Sequence, residues 1–304
     1  MKMKTLKIRP DLLWKELLET FFYAALEVFH PELFAAADRT KEPVFLSKEL
    51  RIPGRRKGQK IVDLLADVPL AAGGKTSLLL HTEVQGGHGE EPFNVRMFKY
   101  ACVIALRLER SFTALAIRTT PREKAEEITY SAESFGTQIS YKYLTVFIDQ
   151  LDEEQLLAMK HNPVALAVVS AKRMLSAGKD EVKRFEYAKA LFRLMKGRGY
   201  TVEDRLRLAL FVDGITNLRT TEMIKEIEQE FDEILKEAKT MSVLTPALSR
   251  AIKKKSYEWG LAEGEKKRIE ERKQTVANMV KRGYSVEEIA DIMELSVEEV
   301  EALR

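Results

Sequence analysis

Apolar and polar positions along this chain change their period more than once, and the changes divide it into parts. Asp11–Phe29 (DLLWKELLETFFYAALEVF) repeats apolar residues at spacings of three and four, which predicts one amphipathic helix stopped near Pro31. Glu42–Ile52 then reads as a strand, and Ile61–Val68 and Ser77–Gln85 as two more, joined through a Gly-Gly turn. Phe93–Arg110 returns to helical spacing. Phe112–Thr119 and Tyr141–Ile148 read as two further strands separated by a polar loop. Helix, three strands, helix and two strands predict an α/β domain over residues 1–150, a mixed central sheet flanked by helices. From Asp152 onward the pattern is helical. Segments near 152–159, 163–176, 181–197, 202–214 and 219–238 are broken at Pro163, Gly178, Gly197, Gly199 and Gly214. A helical region over 151–240 that packs on the sheet is the expectation.

The tail has its own grammar. Residues 241–273 are polar and mixed in charge, an extended helix or linker. Within 274–304, Ser285-Val286-Glu287-Glu288 and Ser296-Val297-Glu298-Glu299 each match a capping box, placing two helix starts eleven residues apart. Three short helices in this order predict a small helix-turn-helix-like module. Val297–Arg304, where a recognition helix would lie, is acidic and lacks the Asn, Gln or Lys that read base edges. An interaction or dimerisation module therefore stands beside a DNA reader.

One strand carries polarity in the wrong place. Leu78-Leu79-Leu80 should be buried, yet it leads into His81, Glu83 and Gln85, which share a face because side chains alternate along a strand. If the hairpin folds about Gly73, Asp63 falls opposite Glu83. Cross-strand Cβ atoms lie about 5 Å apart, and like charges placed there repel. Such a pair calls for a cation, and a hard divalent ion with oxygen ligands, magnesium, is the natural occupant. Solvated strand-end carboxylates are the plain alternative. Glu49 is a third candidate acid. Arg51–Lys60 (RIPGRRKGQK) carries five basic residues, among them Arg55, Arg56 and Lys57, and no acid. It suits phosphate binding beside a metal, or is simply a solvated loop. Arg96 and Tyr100 sit four apart on one helix face.

Composition narrows the class. The chain has 304 residues, 45% hydrophobic and 32% charged, with a net charge of +3. That is enough for a sizeable core and too little charge to establish a nucleic-acid partner. No apolar run approaches the roughly 20 residues of a membrane span, and the N-terminus lacks the uninterrupted apolar stretch of a secretory signal. Cys102 is the single cysteine, in an apolar helical stretch that suits a core position. A cytoplasmic protein without a membrane partner is the expectation. Gly74-Lys75-Thr76 is not a P-loop, since Pro69 stands where that pattern needs glycine. His81, Glu83 and His88 lack zinc-site spacing, and no Gly-x-Ser-x-Gly elbow occurs.

With these residues in hand, the chain resembles the Rpn family of recombination-promoting nucleases and transposases, a branch of the PD-(D/E)XK nuclease superfamily. The resemblance spans roughly Leu12 to Leu218. It is carried by Trp14-Lys15-Glu16, Phe45-Leu46-Ser47-Lys48-Glu49-Leu50, Val62-Asp63, His81-Thr82-Glu83-Val84-Gln85, and Phe93 with Arg96-Met97-Phe98-Lys99-Tyr100. The resemblance implies a PD-(D/E)XK-like fold and a DNA endonuclease that hydrolyses phosphodiesters with magnesium, manganese being a substitute. Asp63 and Glu83 would hold the metal with the Val84 backbone carbonyl, and Glu49 would be a further ligand. Gln85 stands where the superfamily more often has lysine, and it would orient the attacking water or accompany a neighbouring base. Leu64 replaces a lysine usual after the first aspartate. Arg96 and Tyr100 would face the site, and Arg96 with the Arg55, Arg56 and Lys57 loop would neutralise phosphate charge. The partner implied is DNA, and a homodimer would suit double-strand cleavage. The missing lysine leaves a second reading, a nucleic-acid-binding or regulatory protein on a nuclease fold with weak or lost catalysis. A third is a protein-binding scaffold.

Overall fold

The chain is described by a computed structural model covering residues 10–46, 51–53, 59–61, 63–71, 76–86, 91–122, 128–241, 252, 272–281, 284–293 and 295–304. It divides into two compact units, Ile8–Val243 and the C-terminal stretch Leu244–Arg304 with Met1–Lys7.

The larger unit opens with helices α1 (Pro10–Thr20), α2 (Phe22–Phe29) and α3 (Pro31–Ala36). The single helix expected over Asp11–Phe29 is broken at Phe21, whose backbone leaves the helical region at φ −110° and ψ 45°. The break lets α1 and α2 lie against different partners, α8 and α6, described below. Strand β1 is only Val44–Phe45, and β2 (Arg51–Pro53) pairs with β3 (Gln59–Ile61) in a separate two-stranded ribbon. The long strands expected over Glu42–Ile52 and Ile61–Val68 are thus each divided. Asp63 lies between β3 and β4 (Leu64–Pro69), outside both strands. Strand β5 is Ser77–Gln85, with the expected bounds. Helix α4 (Phe93–Leu108) leads to β6 (Phe112–Arg118).

The segment read as a polar loop is a hairpin, β7 (Tyr130–Ser134) and β8 (Thr137–Tyr141). Its two turn residues, Phe135 (φ 44°) and Gly136 (φ 83°), both take left-handed backbone, the geometry that matches strand twist. No Asn-Gly or Asp-Gly pair announced it. Strand β9 is shorter than expected, Leu144–Phe147, because the hairpin takes Tyr141.

The main sheet runs in the order β1-β4-β5-β6-β9. Its first two pairings are antiparallel and its last two parallel, so the sheet is mixed. Helix α4 crosses from β5 to β6 and covers one face. There Leu65 packs on Tyr100 and Ile104, while Ala114 and Ala116 give room to Phe93 and Met97. On the opposite face Leu64, Ala66, Leu80, Leu115 and Ile117 are buried, and α1 touches β5. Strand β5 is therefore covered on both sides, which is why its leucines run on without alternation.

After a 3-10 turn at Ile148–Gln150 come α5 (Glu153–Ala158), α6 (Pro163–Ala177), α7 (Glu181–Lys196), α8 (Val202–Thr216) and α9 (Thr221–Thr240). Helix α6 is the axis of this half. Val164 to Ser170 are all buried, and α2, α5, α7 and α8 pack around it. Gly214 does not end α8, which continues to Thr216. A Cβ at 214 would collide with the side chain of Leu13, so the glycine admits α1. The Trp14 ring meets Phe211 edge-on at 4.9 Å across the same contact.

In the C-terminal unit, α10 (272–281), α11 (Val286–Met293) and α12 (Val297–Leu303) close over Val276, Ile289, Ala290 and Val300. Both capping boxes form. Ser285 and Glu288 exchange hydrogen bonds at 2.8 and 3.2 Å, and Ser296 and Glu299 at 3.0 and 3.1 Å.

Asn162 joins the two halves of the larger unit. Its Oδ1 caps α6 by accepting from the Ala165 N–H at 3.0 Å. Its Nδ2 donates to the Ala24 carbonyl at 2.9 Å and to Glu27 Oε2 at 2.6 Å, both on α2. Replacing it with alanine removes the cap and leaves buried groups unmatched. Asn162→Ala should lower the free energy of unfolding by about 2–3 kcal/mol in urea melts, with the far-UV spectrum unchanged.

Candidate metal and phosphate site

The β4–β5 ladder pairs Leu64 with Thr82, and Leu65 with His81, so its next step sets Asp63 against Glu83. This is the register expected for a hairpin centred on Gly73. In place of a backbone pair, the two acids lock the strand ends through their side chains. The Asp63 N–H donates to Glu83 Oε1 at 2.9 Å, and the Val84 N–H donates to Asp63 Oδ2 at 3.0 Å. Within a strand the N–H and C=O of one residue point to the same edge, so the Val84 carbonyl faces the side that holds Asp63.

Glu83 is 2% exposed, and a buried carboxylate is tolerable only when partnered. Besides the Asp63 amide it has two neighbours. His81, fully buried one step back on the same face, places Nε2 3.2 Å from Oε1. The carboxylate oxygen accepts, so Nε2 is the donor there. Arg96 of α4 brings Nε to 3.7 Å from Oε2 and donates through Nη2 to the Oε1 of Gln85. Its guanidinium also lies 4.9 Å from the centre of the Phe93 ring. Phe93, Arg96 and Tyr100 follow at spacings of three and four, so one face of α4 supplies them all.

Tyr100 meets His81 edge-on at 5.3 Å. Burial pushes its phenol up, the Glu83 charge adds to the shift, and Arg96 opposes it, so the hydroxyl stays protonated through the neutral range. Tyr143, half-buried against this face, is pushed up to about 12 by desolvation, with Arg118 and then Arg96 pulling it back.

Asp63, Glu83, Gln85, Arg96 and Tyr100 are thus drawn to one end of the sheet. Glu49, Arg55, Arg56, Lys57 and His88 lie outside the described residues. Leu64 points to the opposite face, buried with the α1 side of the core. The sequence reading gave two groups at this end no part in the site. His81 figured there as a polar neighbour of Glu83 on one strand face, within the resemblance motif, and as a zinc candidate. Arg118 was passed over, although the alternation of Ala114, Ala116 and Arg118 puts it on the α4 face.

Among the described residues no group of three or more His, Cys, Asp or Glu gathers as a metal cage. The donor set is two carboxylates and a backbone carbonyl, all hard oxygens. It fits magnesium, which is commonly held by one or two carboxylates and keeps several waters. It does not fit zinc, which takes closed nitrogen and sulfur sets. No family model, curated protein or solved structure matches the chain. No helix among the described residues is long and apolar enough to cross a membrane.

The raised phenols predict behaviour in alkali. Tyrosine in the unfolded chain ionises near about 10. Between there and about 12 the unfolded state has released a proton that folded Tyr143 still holds, so stability falls as pH rises through this window. Urea midpoints should be level up to about pH 9 and decline above it. Tyr143→Phe should flatten that decline by up to about 1.4 kcal/mol per pH unit.

Proposed function

We propose that this protein is a divalent-metal-dependent DNA endonuclease, hydrolysing phosphodiesters at the Asp63–Glu83 pair, on a fold of the PD-(D/E)XK type. The observation that carries the reading is the cross-strand locking of two carboxylates at a buried strand end, with a guanidinium held beside them. The helix, antiparallel strands, helix and parallel strand around that pair are compatible with the fold the resemblance implies.

Each residue has a definable task. Asp63 and Glu83, with the Val84 carbonyl, would hold magnesium or manganese. When bound, the ion supplies Lewis-acid polarisation of the phosphate and a water of lowered pKa. Arg96 offers a fixed positive charge for the phosphate oxygens, worth most in a partly desolvated site. Gln85 has no charge to give. Its amide oxygen instead holds the Arg96 guanidinium, so the helix provides the cation that the strand position lacks. Tyr100, kept protonated, is a hydrogen-bond donor against the same face. The His81 ring steadies Glu83 from behind.

One observation favours a binder with weak or lost catalysis. Arg96 lies against Glu83 and Gln85, so part of the carboxylate charge is balanced within the chain itself. A protein of that kind would bind duplex DNA with a steep salt dependence and leave it intact.

Supercoiled plasmid, incubated with magnesium or manganese, separates the two. The hydrolytic reading expects metal-dependent nicking that Asp63→Ala and Glu83→Ala each abolish. Nicking that survives both substitutions, or none by clean wild type in either metal, would sink it. Arg96→Gln should weaken duplex binding and slow nicking by about 10²–10³-fold, read from single-turnover rates.

A further inference from the structure

Beside the carboxylate pair, on the same sheet face, lies a second group of polar side chains that the proposed hydrolysis does not use. Arg118 ends β6 directly beside Gln85. Thr145 stands on β9 beside Ala116, which is itself beside Glu83. Neighbouring strands are about 5 Å apart, so the group begins one strand away from the acids. Tyr141 and Tyr143 complete it from the end of β8 and the short link to β9.

Three side chains here, Arg96, Arg118 and Tyr143, share one aromatic support. The Arg118 guanidinium lies 4.6 Å from the centre of the Phe93 ring, the ring that also carries Arg96 at 4.9 Å. Tyr143 meets Phe93 edge-on at 6.3 Å and approaches Tyr141 to 5.5 Å. Arg118 is 3% exposed. Two cations brought to one ring repel each other. The hydroxyl oxygens of Tyr141, Tyr143 and Thr145 are buried with no hydrogen-bond partner among the described residues. An unmatched buried hydroxyl is costly, and three in one group mark a place where acceptor oxygens are missing.

We infer that Arg118, Tyr143 and Thr145, together with Arg96, form a phosphate-binding subsite adjacent to the carboxylate pair. Paired guanidinium groups match tetrahedral oxyanions through several charge-assisted hydrogen bonds. The hydroxyls supply donors that a purely cationic site would lack. Arg118 and its neighbour Gln85 stand at the carboxyl ends of the parallel strands β6 and β5, the usual ligand side of such a sheet, and Thr145 and Tyr143 approach from the start of β9. That the phosphate belongs to a nucleic-acid strand, the group next to the scissile one, rests on the hydrolytic reading. Affinity for phosphate itself does not.

The test uses the full chain without metal. Inorganic phosphate is titrated at constant ionic strength, with binding followed by calorimetry. Wild type should bind saturably, and Tyr143→Phe and Thr145→Val, each nearly isosteric, should weaken binding about tenfold. Circular dichroism establishes that each variant is folded, and if one is not, the other decides. No saturable binding by wild type overturns the subsite, as does equal affinity in wild type and every folded variant. Plasmid nicking on the same preparations keeps the two readings apart. Phosphate binding without nicking would leave the subsite standing and remove the nuclease, whereas nicking without phosphate binding would do the reverse.

Discussion

Burying a carboxylate in the middle strand of a sheet is the constraint on which the surrounding structure depends. Glu83 sits on β5, a strand covered on both faces, and is 2% exposed. An isolated charge there would be prohibitive, so the neighbourhood is built around its partners. The β4 ladder must stop at Leu64 so that the Asp63 amide turns toward Glu83. His81 must be histidine or another donor of similar reach. Helix α4 must cross at a height that delivers Arg96 to the Oε2 side. The small side chains of Ala114 and Ala116 then let that helix approach.

The same constraint explains where the positive charge comes from. Gln85 cannot supply it, and the strand has no lysine beyond Glu83. Instead a guanidinium arrives from the helix and is steadied by the Gln85 amide oxygen and the Phe93 ring. A forked, planar cation held at two points is less mobile than an ammonium on a four-carbon stem. On the hydrolytic reading this places a permanent charge beside the phosphate. On the binding reading it balances Glu83 alone. The geometry is the same in both, and metal affinity separates them.

Support for the site comes from further away. Helix α6, buried from Pro163 to Ala171, is held to α2 by Asn162, while α1 reaches β5 and α8 together. The helical half therefore braces the face of β5 opposite the acids. The C-terminal unit is organised separately, around its own four-residue core and two reciprocal caps.

Local chemistry made much of this legible in the chain itself. The unbroken leucines of β5 announced a strand buried on both sides. The symmetric spacing of Asp63 and Glu83 about Gly73 set the register, because a hairpin pairs residues at equal distance from its turn. Serine and glutamate three apart announced both caps. What escaped was whatever depended on contacts distant in sequence. The Phe21 break and the continuity of α8 through Gly214 follow from how α1 meets α8, which no local period records. The β7–β8 hairpin lacked its usual turn residues and was bolted down by Tyr130 stacking on Phe98. Arg118 was one polar position on an apolar strand until packing set Phe93, Arg96 and Tyr143 around it. The sequence by itself determined which side chains could carry charge at the strand end and which face they shared. Tertiary structure alone decided which cation reached them, since a helix sixteen residues long can present its side chains to a sheet only after the crossing between β5 and β6 has fixed its height and rotation.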